Sequence, residues 1–246
     1  MNTNRLTFID IARAICIILI VIYHYNPSNA PDWYLILNNI GVNFRIPLLM
    51  FISGYIYSMT KKPITYRKFI FNKFKRLIVP YFFVSTFIIC TKLLTDKNMY
   101  VENPVSLFSF YEMFYFPSAG FFTWFIYVLF LIFLIIPFIN TPQKLNISLI
   151  ISFLLLLIPV KSVQLFYLVQ LKEYLFYFVL GCFIYAKPGI KLIIDKIPTV
   201  VFLAFFVSLY GLKFIIHVWF IPLMNFSLAV TGIFFILNIS CRLIRE

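Results

Sequence analysis

The chain consists of long apolar runs separated by short polar connections. Runs of membrane-spanning length cover about residues 6–25, 36–59, 77–95, 121–139, 145–160, 165–186, 198–216 and 221–241. A helix needs about 20 apolar residues to cross the hydrocarbon core of a bilayer. The pattern therefore predicts an all-α fold, a polytopic integral membrane helix bundle of about eight transmembrane helices.

Composition supports a membrane protein with one domain. The chain is 63% hydrophobic and 12% charged, whereas a soluble domain usually carries about a quarter charged residues. No linker-like stretch interrupts it, so we predict a single membrane domain over residues 1–246. The first run carries Asp10 and Arg13 in its first third, and no small-residue cleavage site follows. We therefore expect it to remain as a spanning helix rather than a cleaved signal peptide.

The net charge of +13 is explained by topology. Seven lysines and arginines lie between Lys61 and Arg76. Placing this segment in the cytoplasm also places most other loop lysines and arginines there, as the positive-inside rule requires. We therefore expect both termini to be cytoplasmic, with His24 near the outer membrane surface and Arg13 nearer the inner one. The basic excess needs no nucleic acid, which we do not expect as a partner.

The most informative chemistry in the first run is the pair Arg13 and His24, with ten residues between them. Eleven steps of about 100° make roughly three helical turns, so the two side chains share a face about 16 Å apart. Ionisable groups at membrane depth usually face the protein interior and serve a site. His24 is the candidate general base for acyl transfer to a hydroxyl; alternatively, it is an interfacial residue.

Four residues near this pair have two interpretations each. Asp10 lies three residues before Arg13 and can pair with it, either to compensate charge or to orient a reacting group. Arg45 needs an anionic partner or a route along which it snorkels to the surface. Ser53 and Gly54 are typical of close helix packing, although the Ser53 hydroxyl is also a candidate supporting group.

Further candidates lie in the later runs. Lys172 and Glu173 are adjacent in the sixth run, so they cannot face each other, and each is expected to have a partner on another helix. Trp124 belongs either to the interfacial aromatic belt or to the lining of a site. The outer loop 96–120 is rich in aromatic residues and contains two glutamates. It is either part of that belt or an aromatic, acidic mouth for a sugar or another polar acceptor.

Lys73, Lys75 and Arg76 form a basic cluster before the third run. Topology and attraction to anionic lipid are sufficient to explain it, but lysine and arginine also suit phosphate oxygens. The chain has no glycine-rich phosphate loop, no metal-binding histidine spacing and no nucleophile elbow. The cysteines, Cys16, Cys90, Cys182 and Cys241, have no metal or redox spacing, so we expect no metal and read them as core residues.

These features together resemble the membrane acyltransferase-3 family, and in detail its fucose O-acetylase-like branch. The matching segments are 8–13, His24, 45–55, 73–81, 123–126 and 177–181, in the family's order. The spacing of Arg13 and His24 and the Ser-Gly-Tyr sequence of 53–55 are the specific parts. The family's paired cytoplasmic arginines are here Lys73 and Lys75 followed by Arg76. A histidine frequent in the branch is replaced nearby by Arg45.

The resemblance implies a bacterial-type inner-membrane enzyme. It would take an acyl group, most simply acetyl, from cytoplasmic acyl-CoA and pass it to a hydroxyl of a cell-surface or envelope glycan. By carry-over, His24 and Arg13 are the catalytic pair, and Lys73, Lys75 and Arg76 hold the CoA phosphates. The family usually has about ten helices, so we expect this chain to lack the last ones.

Two other functions remain open on the sequence. A transport or export component for a polysaccharide or small solute would use the intramembrane charges to line a polar path, although no inverted repeat or pair of broken helices is evident. A non-catalytic remnant of the family would explain the short length. The acyl group, the acceptor and the oligomeric state are not determined by the sequence.

Overall fold

The structure is a computed structural model that describes residues 7–25, 27, 29–95, 104–115, 123–158, 167–215 and 220–244. Within these residues no strand occurs, and the predicted all-α fold is confirmed. The helices are α1 (Thr7–His24), α2 (Asp32–Val42), α3 (Arg45–Met59), α4 (Tyr66–Lys73), α5 (Val79–Thr95), α6 (Ser109–Glu112), α7 (Trp124–Ile139), α8 (Leu145–Leu157), α9 (Leu168–Ala186), α10 (Pro188–Lys196), α11 (Thr199–Leu212) and α12 (Ile221–Arg242).

Every predicted apolar run contains a helix, but the count of eight membrane spans is not confirmed. Among the described residues, four helices are long and apolar enough to cross a membrane: α1, the continuous helix Tyr66–Thr95, α9 and α12. The number rises to six if α2 with α3 and α10 with α11 each form one bent span. The apolar helices α7 and α8 have 16 and 13 residues, shorter than the usual spanning length.

The third predicted span begins eleven residues earlier than expected, because a five-residue π-helical segment, Phe74–Ile78, joins α4 to α5. The N–H of Val79 donates to the carbonyl of Phe74, five residues back. Pro80 follows at once, has no N–H, and its ring clashes with a carbonyl four residues earlier in a regular α-helix. We attribute the wider turn to this proline, which lets the chain continue without a break.

The described chain divides into two compact units. Unit 1 comprises Met1–Lys61, Leu149–Leu157 and Phe176–Glu246, and unit 2 comprises Lys62–Ser148 and Ile158–Leu175. In unit 1, α1, α3 and α12 pack against one another, α2 lies against α1 and α3, and α10 and α11 pack on α12. Most residues of α3 are buried and the others are partly buried, so its side chains form the centre of this unit.

Unit 1 also contains a very close helix crossing, between α3 and α9. A Cβ atom added to Gly54 would lie 1.9 Å from the carbonyl oxygen of Phe178, and one added to Gly181 would lie 2.1 Å from that of Phe51. The Cys182 thiol donates to the Gly54 carbonyl at 3.3 Å. Only a hydrogen fits at these positions, so the two glycines allow the backbones to touch.

In unit 2, the π-helical segment and α4 pack against α7, and α6 packs against α5. Tyrosine hydroxyls bind this unit together by donating to carbonyls outside their own helices. Tyr81 donates to Met113 at 2.6 Å, and Tyr66 donates to Leu134 at 3.1 Å. These bonds satisfy phenol groups in an apolar environment, where an unpaired hydroxyl would be costly.

The outer surfaces of the spanning helices are apolar. Large exposed side chains include Val21 on α1, Phe83 and Phe87 on α5, and Phe205 on α11. Apolar surfaces of this kind are suited to contact lipid acyl chains. The chain is a multi-pass membrane protein.

Candidate active site

The candidate site is built around the C-terminal end of α1, where His24 is the last helical residue. The last carbonyls of a helix lack partners within it. Here the Tyr34 hydroxyl, from the first turn of α2, donates to the carbonyls of Ile22, at 2.5 Å, and of Tyr25. This contact holds α2 against the end of α1 and fixes the turn that carries the His24 imidazole.

Arg45 approaches the same turn from α3, of which it is the first residue. Its side chain is only 7% exposed, which excludes the snorkelling interpretation. The guanidinium carbon lies 3.3 Å from the centroid of the Tyr23 ring. The Tyr23 ring in turn meets the His24 ring edge-on, with centroids 5.4 Å apart. Arg45 is thus held by cation–π attraction over the face of a ring that itself contacts the His24 ring.

A break in the second predicted span places Arg45 at this level. The axes of α2 and α3 differ by 43°, and the break contains Asn43, whose side-chain oxygen accepts a hydrogen bond from the Lys213 ammonium at 2.8 Å. The Arg45 carbonyl accepts a hydrogen bond from the buried Cys16 thiol of α1 at 2.9 Å. Cys16 therefore fastens the start of α3 to α1, a structural role.

Arg13 lies at a different level from this group. Helix α1 is continuous, so Arg13 and His24 are on the same face, three turns apart, and both side chains are exposed on the chain surface. Asp10 is half-buried one turn before Arg13. The guanidinium close to His24 is that of Arg45, a residue predicted only as a supporting group.

Ser53 and Lys172 have local roles in the structure. The Ser53 hydroxyl donates to the carbonyl of Leu49 in its own helix, at 2.8 Å. In unit 2, the Lys172 ammonium donates to the carbonyl of Ile158, the residue that follows α8, so its partner is a backbone group at a helix end rather than a side chain on another helix. Glu173 beside it is exposed.

Trp124, at the start of α7, belongs to an aromatic cluster in unit 2. Its ring is parallel to that of Tyr167, with an interplanar angle of 3° and centroids 6.2 Å apart. The Tyr174 ring also contacts the Trp124 ring, with centroids 5.5 Å apart. The flanking outer loop is described only over residues 104–115, so the predicted acceptor mouth lies largely outside the described residues.

The basic cluster of unit 2 does not present three equivalent cations. The Lys73 ammonium lies 3.7 Å from the Phe133 ring centroid, and Lys75 folds over Phe71 at 4.5 Å. Arg76, on the π-helical segment, is exposed. Arg76 and Lys75 are accessible to an anion, while Lys73 is partly engaged in packing against α7.

Sequence reasoning missed Tyr23 and Tyr34, which set the geometry at His24. Aromatic residues make up 21% of this chain, so two tyrosines do not stand out as functional candidates. The one available signal was the adjacency of Tyr23 to His24. Elsewhere in the described residues, no three histidine, cysteine, aspartate or glutamate side chains are placed to hold a metal ion.

Comparison with known protein families identifies the family of this chain. A family model described as an acyltransferase domain, acyltransferase-3, matches residues 6–246. The chain belongs to the acyltransferase-3 family. No curated protein and no solved structure matches it. Acyltransferase-3 membership and the apolar helices together identify a membrane acyltransferase.

Proposed function

We propose that this acyltransferase-3 protein moves an acyl group, most simply acetyl, from acyl-CoA to a hydroxyl of a cell-surface or envelope glycan. The observation that supports this proposal is the grouping of His24, Tyr23 and buried Arg45 at the end of α1. It combines a titratable imidazole with a permanent cation in a family of acyltransferases. The finer fucose O-acetylase-like assignment stays a prediction.

In the proposed reaction, His24 transfers one proton while a carbon–oxygen bond replaces the carbon–sulfur bond of the thioester. The His24 imidazole accepts the proton of the acceptor hydroxyl as its oxygen attacks the thioester carbonyl. The resulting oxyanion collapses, the carbon–sulfur bond breaks, and the CoA thiolate takes the proton from the imidazolium. Arg45, whose guanidinium lies over the Tyr23 ring that contacts His24, stabilises the oxyanion. Arg13 supplies a second positive charge farther along the same face of α1.

For the donor, Lys73, Lys75 and Arg76 are proposed to bind CoA phosphates in the cytoplasm. Lysine and arginine form charge-assisted hydrogen bonds with phosphate oxygens. The exposure of Lys75 and Arg76 supports this role more strongly than the packing of Lys73 against Phe133 does. Replacing Arg76 by glutamine is therefore expected to weaken acyl-CoA binding more than replacing Lys73.

The decisive experiment measures glycan acylation by mass spectrometry in cells that carry the wild-type chain, His24→Ala, Arg45→Gln or Arg45→Lys. Loss of a general base lowers such a reaction by about 10²–10⁴-fold, so His24→Ala should abolish detectable acylation with normal protein in the membrane. Asn39→Ala is the matched control, because Asn39, on the neighbouring helix α2, is an exposed polar residue like His24. It should leave acylation unchanged.

The outcomes separate the proposal from its alternatives. Wild-type acylation in His24→Ala contradicts the mechanism. Substrate flux into reconstituted vesicles without any need for acyl-CoA favours a transport component. Purified protein that binds no acyl-CoA favours a non-catalytic subunit. The comparison of surface glycans with and without the gene also identifies the acyl group and its acceptor.

A further inference from the structure

Helix α10 has a position that the hydropathy pattern does not predict. It occupies Pro188–Lys196, between the spanning helix α9 and the apolar helix α11, and its axis is bent by 85° from that of α11. A helix at this angle cannot extend the path of α11 through the bilayer. It joins the end of one apolar helix, α9, to the start of the next, α11.

A polar network fastens this right angle in place. Asn238 of α12 is only 1% exposed, and its amide nitrogen donates to the carbonyls of Ile194 and Ile197 at 3.4 and 3.0 Å. Its oxygen accepts from Thr199 at 2.5 Å and from Arg242 at 3.1 Å. All hydrogen-bonding positions of the amide are used, so the junction of α10 and α11 is rigidly attached to α12.

Helix α10 carries large apolar side chains on its outward face, unlike a helix on a soluble protein. The face toward the unit carries Ile194 and the ion pair between Lys191 and Asp195, at 2.6 Å. The Lys191 ammonium also lies 4.6 Å from the Phe8 ring centroid of α1. The outward face carries Leu192 and Ile193, which are 62% and 64% exposed. An aqueous environment would disfavour this arrangement, because it hydrates the apolar side chains.

We propose that α10 is an interfacial helix that lies on one membrane leaflet and binds anionic phospholipid. Its apolar face, defined here as Leu192 and Ile193, enters the boundary between headgroups and acyl chains, as in other interfacial helices. Lys187 before the helix and Lys196 at its end are exposed and carry the charge that attracts anionic headgroups. The apolar surface continues into α11, where Val200 is exposed. The proposal does not depend on the acyltransfer mechanism.

Spin labels on the full chain in liposomes test the depth of α10. Cys90 and Cys241 are replaced by serine, while the buried Cys16 and Cys182 remain. A nitroxide is then attached at Ile193→Cys, and the reference label is at Lys62→Cys, an exposed residue between α3 and α4. Collision rates are measured with oxygen, which concentrates in lipid, and with an aqueous nickel complex.

The proposal requires a higher ratio of oxygen to nickel collisions at residue 193 than at residue 62. Equal ratios would place α10 in water and overturn it. Low collision rates with both reagents at residue 193 would mean that protein, such as a second copy of the chain, covers the face, and would also overturn it. A label at Leu192→Cys repeats the test if the first variant misfolds.

A second measurement tests the lipid charge. The ratio at residue 193 is compared in vesicles of phosphatidylcholine alone and of phosphatidylcholine mixed with phosphatidylglycerol. The anionic vesicles should give the higher ratio, and Lys187→Gln with Lys196→Gln should remove the difference. Insertion that is identical in both lipids would contradict the anionic part of the proposal.

Discussion

The crossing of α3 and α9 makes a quantitative prediction about Gly54. In Gly54→Ala, the added Cβ would lie 1.9 Å from the Phe178 carbonyl oxygen, where an ordinary contact needs at least 3.4 Å. The helices must therefore separate by about 1.5 Å, because the obstacle is backbone and cannot rotate away. The same holds for Gly181→Ala against Phe51.

The expected loss of stability follows from overpacking. Inserting a methyl group into a well-packed core destabilises by about 1–3 kcal/mol, and a backbone obstacle belongs at the upper end of this range. The helix propensity of alanine does not offset it, because a helix in a bilayer or micelle keeps its backbone hydrogen bonds when tertiary packing is lost. We expect Gly54→Ala to lower the free energy of unfolding by about 2–3 kcal/mol.

Other glycines of the chain provide matched controls. A Cβ at Gly211, on α11, meets nothing within 4 Å, so Gly211→Ala should change stability by less than about 0.5 kcal/mol. Gly232→Ala is intermediate, because its Cβ meets the side chain of Phe44 at 2.5 Å rather than backbone. The double variant at Gly54 and Gly181 should lose less than the sum, because one separation of the helices relieves both contacts.

The assay is equilibrium unfolding of the purified chain in mixed micelles by titration with sodium dodecyl sulfate, followed by tryptophan fluorescence. Circular dichroism checks that each variant is helical at the start. The reasoning would be refuted if Gly54→Ala were as stable as Gly211→Ala. A double variant whose loss equals the sum of the single losses would place the two glycines in separate contacts.

Two further predictions use the same titration. Asn238→Ala should destabilise by about 2–3 kcal/mol, because it leaves carbonyls and donors at the junction of α10 and α11 without partners. The control Ser227→Ala, at an exposed hydroxyl on the same helix, should be nearly neutral. Equal effects would show that the Asn238 hydrogen bonds do not stabilise this junction. Tyr34→Phe removes the hydroxyl that fixes the end of α1 and should cost about 1 kcal/mol and reduce glycan acylation by less than His24→Ala does. A Tyr34→Phe protein with wild-type stability would contradict this role.

Much of the local structure could be predicted from the sequence. The apolar runs coincide with helices because a chain in lipid must satisfy its backbone internally. Pro80 shows the limit of such reasoning, since the proline was visible but the π-helical turn and the earlier helix start were not. The break before Arg45 was also missed, because the polar residues around Asn43 lie within a longer apolar run and the bend depends on how α2 meets α1.

The candidate site divides in the same way. His24 stays a prediction as the general base, and its spacing from Arg13 follows from helical periodicity alone. The cation beside it is Arg45, 21 positions along the chain, brought there by the packing of α3 on α1. Tyr23 lies between the Arg45 guanidinium and the His24 imidazole, a role that no pattern of residue types indicated.

The sequence by itself determined the fold class and the membrane environment, because these depend on composition and on short-range periodicity, and the order and spacing of its motifs indicated the family. Only the tertiary structure decided which charge meets His24, which glycines let helices touch, and that α10 turns at a right angle on Asn238. These features depend on contacts between residues far apart in the chain, and a single atom at Gly54 or one hydrogen bond at Asn238 changes them without altering the hydropathy pattern.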